Sequence, residues 1–220
     1  MKVALAVFAK APVPGAVKTR LSPQLTSSES AELYRCMLLD TVQRVSLLPW
    51  DPFIFYEGER AFFEGACPGI PLLPQVEAGL GERMAAAVES TLALGYGASM
   101  VIGTDVPDLP LSYLEEGVRL LKSGADVVFG PAADGGYYLV GLKRVERAIF
   151  QGIRWSTSSV LAESLKRAES AALKAGLLPL WYDVDSYEDL LRPGLLDIHN
   201  KAPLTRTFLT QHGIVPREGA

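Results

Sequence analysis

The sequence predicts a three-layer α/β/α domain built on a mainly parallel sheet. Three observations carry that expectation. Short apolar runs alternate along the chain with runs of helical periodicity. The strand-like runs, such as "VALAVF" at Val3–Phe8 and "SMVIG" at Ser99–Gly103, are apolar at consecutive positions, the pattern of strands covered on both faces. The length of 220 residues suits one large α/β domain over 1–220 and is short for two.

Taken in order, Val3–Phe8 is the first strand. As a secretory leader it fails: its apolar core is short, Lys10 follows directly, and no small-residue cleavage site is convincing. Thr26 and Glu29 have capping-box spacing, and Leu33, Met37, Leu38, Val42 and Val45 continue from it at helical intervals. Phe53–Glu57 is a second strand and Pro71–Gln75 a short third. Gly81–Leu94 is a helix by propensity. After the Ser99–Gly103 strand, Ser112 and Glu115 again have capping-box spacing and open a helix through Leu121. "DVVFGP" (Asp126–Pro131) and "YYLVGL" (Tyr137–Leu142) read as two strands. A helix follows over about Thr157–Lys174, then a last strand, "LPLWYDVD" (Leu178–Asp185), and a short helix from "SYEDLL". There is no repeat, linker or low-complexity run.

Composition removes several function classes. Hydrophobic residues are 49% and charged residues 21% of the chain, as in a soluble globular protein. A net charge of −4 argues against a broad nucleic-acid surface, which needs clustered Lys and Arg. The cysteines are Cys36 and Cys67 and the histidines His199 and His212, with no CxxC pair, so a zinc site of Cys and His is not expected. A disulfide is unnecessary at this size, and a reducing cytoplasm is the expectation. No stretch approaches the ~20 apolar residues of a membrane span.

Ligands of parallel sheets lie beyond the carboxyl ends of the strands, and four segments there hold candidate residues. "VIGTDVPDLP" ends an apolar strand with Asp105. An unpaired carboxylate is costly to bury, so Asp105 is expected in a cleft, capped by amides, or on a metal. Asp108 suits the helix cap better, because Pro110 then falls in the first turn. In "WYDVDSYEDL", Asp183 and Asp185 share one face of an extended chain and repel unless a cation lies between them. Asp185 also has capping-box spacing to Glu188. "AADGG" holds Asp134, Gly135 and Gly136, which by spacing alone make a hairpin turn. In "KAPVPGAVKTRL", Pro14 and Gly15 make a turn. Lys18 and Arg20 then share one side of an extended chain, where they could hold a phosphate or stand as solvated cations. GxxxxGK[ST] and GxGxxG are both absent.

The segments "FAKAPVPGAVKTRL", "GLGERM", "IGTDVPDLP", "DGGYYLVGL", "WST" and "DVDSYEDL", together spanning Phe8–Leu190, resemble the GT-A-like nucleotide-diphospho-sugar transferase superfamily. Within it they are most similar to the bacterial arsenosugar-biosynthesis-associated glycosyltransferases. The resemblance implies a Rossmann-like, GT-A-like fold with a nucleotide over the first strand. By motif, the nucleotide would contact Ala9, Lys10, Pro14, Gly15, Lys18, Arg20, Gly81, Thr104 and Asp105. The same resemblance makes Lys18, Arg20 and Asp105 catalytic, and puts Asp134, Gly135, Gly136 and Trp155 on the acceptor side. It implies a divalent cation, Mg²⁺ or Mn²⁺, on Asp105 with Asp183 or Asp185. The first loop is closer to that of phospholactate guanylyltransferases than to the GxGxR loop of sugar-activating nucleotidyltransferases, and "TDVPD" stands where a DxD is usual.

Three functions are compatible with these residues. One is glycosyl transfer from a nucleotide sugar to a small-molecule acceptor. Another is nucleotidyl transfer, guanylyltransferase-like, from a nucleoside triphosphate to a phosphorylated small molecule with loss of pyrophosphate. The third is nucleotide binding without turnover. The resemblance favours the first.

Overall fold

The computed structural model describes residues 1–199 and 201–215. Its strands are β1 (Val3–Lys10), β2 (Asp51–Glu57), β3 (Leu72–Pro74), β4 (Ala98–Ile102), β5 (Val127–Pro131), β6 (Tyr137–Leu142) and β7 (Ala175–Leu177). They form one seven-stranded sheet of order β3-β2-β1-β4-β6-β5-β7. All neighbouring pairs are parallel except those of β6, which runs against β4 and β5. The exception follows from the short Ala132–Gly136 connection, closed by a bond from the Gly135 amide to the Ala132 carbonyl (3.1 Å), because a parallel pair would need a far longer crossover.

Five helices cover the sheet: α1 (Ser27–Val45), α2 (Arg60–Ala66), α3 (Leu80–Ala93), α4 (Leu111–Lys122) and α5 (Val160–Ser170). Strand β1 shows why its sequence is apolar throughout. Val3, Leu5, Val7 and Ala9 face a core completed by Leu38 and Val42 of α1, Phe63 of α2 and Leu114 of α4. Ala4 and Ala6 face the opposite core, with Met84 and Val88 of α3 and Ala168 of α5. Alternate side chains point to opposite faces, and both faces are dry. The expected three-layer α/β/α architecture is therefore the one observed. Among the described residues no helix is long and apolar enough to cross a membrane.

Several local expectations are corrected. The last strand is not Leu178–Asp185. Pairing ends at Leu177, and beyond it the chain touches the sheet through an isolated Ala132–Trp181 bridge. Pro179 has no N–H to continue a ladder. Helix α4 starts at Leu111 with Pro110 as its N-cap and no side-chain cap, so Ser112 lies inside the first turn and makes no capping box. Helix α5 is shorter than Thr157–Lys174. The hydroxyl of Thr157 bonds the Arg154 carbonyl and that of Ser159 bonds Glu163 before the helix begins, and Ala172 leaves helical geometry at φ 55. The Thr26–Glu29 capping box is present in both directions.

Helix α6 (Tyr187–Leu190) is the expected short helix at "SYEDLL", whereas α7 (Pro193–Leu196) and α8 (Pro203–Gln211) were not expected from the sequence. These close a third core, in which Leu21, Leu33 and Met37 meet Val184, Leu190, Leu195, Phe208 and Leu209. Asp40 of α1, fully buried, fixes this packing. Its carboxylate accepts from the backbone amides of Leu204 (3.1 Å) and Thr205 (2.7 Å) and from the Thr205 hydroxyl (2.7 Å). It thus takes up amide donors that a helix N-terminus leaves open. Asp40→Ala should lower stability by about 2–4 kcal/mol, the scale for several lost bonds to a charged acceptor, read from the urea midpoint. An unchanged midpoint would rule out the clamp.

Candidate active site

A cleft of about 520 Å³ opens at the carboxyl ends of β1 and β4. Its first wall is the β1–α1 loop. Pro14 and Gly15 form the expected turn, with the Ala16 amide bonded to the Val13 carbonyl (3.0 Å) and Gly15 at φ 80. The chain beyond it is not extended. Lys18 has left-handed backbone geometry (φ 49), and Thr19–Leu21 is a single turn of 3₁₀ helix. Lys18 and Arg20 nonetheless both approach Asp185, Lys18 enclosed and Arg20 from the solvent side.

The Lys18 ammonium is almost fully enclosed, its side chain 5% exposed. It donates to Asp105 Oδ1 (2.5 Å), Asp185 Oδ1 (2.8 Å) and the Val184 carbonyl (2.5 Å). All three donors of the ammonium are used. Burial works to lower its pKa, but Asp105 and Asp185 outweigh burial and hold it above the ordinary lysine value. Arg20, largely exposed, lies 3.8 Å from the other Asp185 oxygen. The Val184 amide bonds the Asp105 carbonyl (2.8 Å), so the segment carrying Asp183 and Asp185 is laced directly to the end of β4.

Two expected helix caps are corrected here. Asp108 does not cap α4. It accepts from Trp181 Nε1 (3.3 Å) and from the Tyr182 hydroxyl. Trp181 and Tyr182 stack at 5.1 Å, and Arg192 lies 4.4 Å over the Tyr182 ring. Asp185 does not cap α6 with Glu188. Ser186 and Asp189 form that capping box, because the helix starts one residue later, which leaves the Asp185 carboxylate free for Lys18.

The far wall is built from the β5–β6 turn and the segment from Trp155 to Val160. Asp134 accepts from the Gly136 amide (2.8 Å), an Asx turn. Gly135 is at φ 90, and a Cβ there would lie 2.2 Å from the Ser158 carbonyl oxygen. A Cβ on Gly81 would lie 2.8 Å from the Trp155 ring. These two glycines admit protein rather than ligand: they let the Trp155–Val160 segment dock. Of the residues singled out from sequence, Ala9, Lys10, Lys18 and Arg20 line the cleft on the first wall, with Thr104 and Asp105 beside them. Asp134, Gly136, Trp155, Asp183 and Asp185 line the rest, whereas Pro14, Gly15, Gly81 and Gly135 do not line it.

Sequence reasoning missed two groups. The Tyr34 hydroxyl, buried on α1, accepts from the Lys10 amide (2.9 Å) and Thr104 Oγ1 (3.0 Å), tying the ends of β1 and β4. Arg83 bonds Glu57 (2.5 Å), Gln75 (3.3 Å) and the Ala78 carbonyl (2.8 Å). A signal for Arg83 did exist: a cation in the first turn of α3 opposes the helix dipole.

Burial, and then the carboxylates of Asp105, Asp134 and Asp185, push Asp183 up to about 7. The cleft therefore carries more negative charge than Lys18 neutralises. Its donors are all oxygen, which suits Mg²⁺ or Mn²⁺. Among the described residues no three acidic side chains converge as a ready-made cage. Mg²⁺ normally takes one or two carboxylates and completes its shell with phosphate and water. Asp105, which meets Lys18 through one oxygen, and Asp183 fit that role, whereas Asp185 faces cations with both oxygens, Lys18 at Oδ1 and Arg20 at Oδ2.

The family described as an uncharacterized protein conserved in bacteria (DUF2064) matches residues 40–157. A solved protein from Desulfovibrio desulfuricans G20, provisionally designated a nucleotide-diphospho-sugar transferase, is 30% identical; the match covers 96% of this chain and 99% of that one, with a TM-score of 0.86. A cytidylyltransferase from Leptospira borgpetersenii shares the fold with a TM-score of 0.56 at 10% identity, over 100% of this chain and 99% of its own. Rv0371c from Mycobacterium tuberculosis H37Rv, solved in complex with manganese, does so with a TM-score of 0.51 at 16% identity, over 86% and 96%. No curated protein matches the sequence.

The Asp183 environment makes a signed prediction for metal-free protein. A folded carboxyl held near 7 keeps a proton that the unfolded chain releases near pH ~4. Its contribution is present in full below about pH 4 and is lost as pH rises towards about 7. Asp183→Asn carries no charge, so its stability advantage over the native chain in chelator should grow from about pH 5 to about pH 8. Parallel pH profiles for the two proteins would contradict the crowding of carboxylates.

Proposed function

This chain belongs to the bacterial family DUF2064, and we propose that it is a metal-dependent transferase that binds a nucleotide sugar and passes the glycosyl group to a small-molecule acceptor. The observation that carries this reading is the meeting, in one cleft, of Lys18 and Arg20 from the loop after β1 with Asp105 from the end of β4. Kinship with the Desulfovibrio protein supports transferase chemistry.

In glycosyl transfer the acceptor hydroxyl bonds to the anomeric carbon while the bond from that carbon to the diphosphate breaks. Negative charge then accumulates on the departing nucleotide. Arg20 is exposed and placed to fork onto phosphate oxygens, while Lys18, its three donors taken by Asp105, Asp185 and the Val184 carbonyl, fixes the loop and offsets the negative charge of those two carboxylates. Lys18 and the carboxylates around it are held before the reaction begins, so little reorganisation is needed there as the charge develops. A bound Mg²⁺ or Mn²⁺, held by Asp105 and Asp183, would add positive charge at the same phosphates. The Tyr34 hydroxyl keeps the ends of β1 and β4, and so the two charged groups, in fixed relation.

The test is product identity. Incubated with a panel of nucleotide sugars and Mg²⁺ or Mn²⁺, the protein should release a nucleoside diphosphate. Release of pyrophosphate from a nucleoside triphosphate and a phosphorylated acceptor would replace this reading with nucleotidyl transfer. Binding of nucleotides with neither product would leave a binding protein.

Two variants refine the site. In a thermal-shift assay, a nucleotide at ~100 times its dissociation constant should add about 2.7 kcal/mol of stability in the presence of metal, and Asp105→Asn should remove the metal-dependent part. Equal nucleotide affinity with and without metal in the native protein would refute that role for Asp105. Arg20→Ala should weaken nucleoside diphosphate binding by about 1.5–3 kcal/mol, the scale of a hydrogen bond to a charged group, and leave nucleoside binding unchanged. Equal weakening of both ligands would make the loop structural.

A further inference from the structure

The charges that line the cleft are segregated along the chain. Its cations are Lys10, Lys18, Arg20 and Arg83, all from the amino-terminal side. Its carboxylates are Asp105, Asp134, Asp183 and Asp185, all from the carboxyl-terminal side. The wall formed by the β5–β6 turn and the Trp155–Val160 segment presents Asp134, the rings of Tyr137 and Trp155, and Ser156 and Thr157. Among the described residues, no Lys or Arg lines this wall. The neighbouring cation, Arg154, is bonded to Glu163 through its side chain (2.8 and 2.7 Å) and its amide (2.9 Å), and to Ser159.

Trp155 is a built feature of this wall. Its ring packs where Gly81 has no side chain, and Tyr137 meets it edge-on with centroids 6.3 Å apart. A half-buried indole held by its neighbours offers a flat apolar surface. Around it are carboxylate and hydroxyl groups, which accept or exchange hydrogen bonds with ligand hydroxyls. A phosphate beside Trp155 would meet the Asp134 carboxylate with no Lys or Arg in return, and like charges in a partly dry cleft repel.

Resting on the transferase reading, we infer that this half of the cleft takes an uncharged, hydroxyl-bearing ring stacked on Trp155, and excludes phosphorylated compounds. The ring is either the glycosyl group of the donor or the acceptor itself. Both have the same chemistry, a hydroxylated surface with an apolar face. Phosphate recognition is then confined to the Lys18–Arg20 side.

Calorimetric titration tests this with glucose against glucose 6-phosphate, each with and without UDP or GDP, and with UDP against UDP-glucose and GDP against GDP-mannose. The neutral sugar should bind at least tenfold more tightly than its phosphate ester. Trp155→Ala should weaken the sugar-bearing ligand about tenfold, Trp155→Phe should retain most of the affinity, and UDP and GDP alone should be unaffected. Weakening of the nucleotide sugar alone assigns the ring to the donor; weakening of the free sugar assigns it to the acceptor. Tighter binding of the phosphate ester, no binding of any neutral sugar or nucleotide sugar, or an equal loss for UDP and UDP-glucose would overturn the inference. If glucose 6-phosphate prevails while nucleotides still bind, the nucleotide site stands and only this assignment falls. If the neutral sugar binds and no nucleotide does, the transferase reading falls and this one stands.

Discussion

The enclosed ammonium of Lys18 is the constraint on which the site depends. It joins three stretches distant in the chain: the loop after β1, Asp105 at the end of β4, and the Val184–Asp185 segment. An ion so little exposed is tolerable only when its donors are satisfied, although both carboxylate partners still reach solvent. The left-handed backbone of Lys18 is a further cost, of order 1–3 kcal/mol for a residue other than glycine. The surroundings must therefore hold this geometry firmly, and they do so from two directions. The third core packs Leu21, immediately after the loop, against Val184, Leu190 and Leu195. Asp108 holds Trp181 and Tyr182 from the β4 side.

The C-terminal helices have their place in this scheme. They contribute no lining residue to the cleft, yet α8 is fastened to α1 through Asp40, and the third core that it completes covers the segment holding Asp183 and Asp185. The segment leaves the sheet at Pro179 and has little ladder pairing of its own, so its position is set by side-chain packing and by the Val184–Asp105 backbone bond. A short piece of irregular chain can present two carboxylates accurately because rigid elements grip it on both sides.

The sheet and its order of elements were legible in the sequence because backbone hydrogen bonding and burial act locally. A strand covered on both faces must be apolar at consecutive positions, and β1 and β4 are. The Thr26–Glu29 capping box was legible for the same reason: donor and acceptor are three residues apart and need nothing else. The capping spacings at Ser112–Glu115 and Asp185–Glu188 were misleading. Pro110 placed one helix start, and a competing box at Ser186–Asp189 placed the other. Spacing shows that a cap can form, and competition with neighbouring residues decides whether it does.

The sequence by itself determined which chemical groups stand at the strand ends: Lys18 and Arg20 after the first strand, Asp105 after the fourth, and two aspartates near the end of the fold. Only the tertiary structure decided what each one meets. It assigned Asp185 to Lys18, left Asp183 crowded by carboxylates, gave Asp108 to Tyr182, and turned Gly81 and Gly135 into docking points for the Trp155 segment. The physical reason is range. Burial and hydrogen-bonding propensity are properties of neighbours in sequence, whereas an ion pair between Lys18 and Asp185 forms across the whole fold and depends on every core that brings them together.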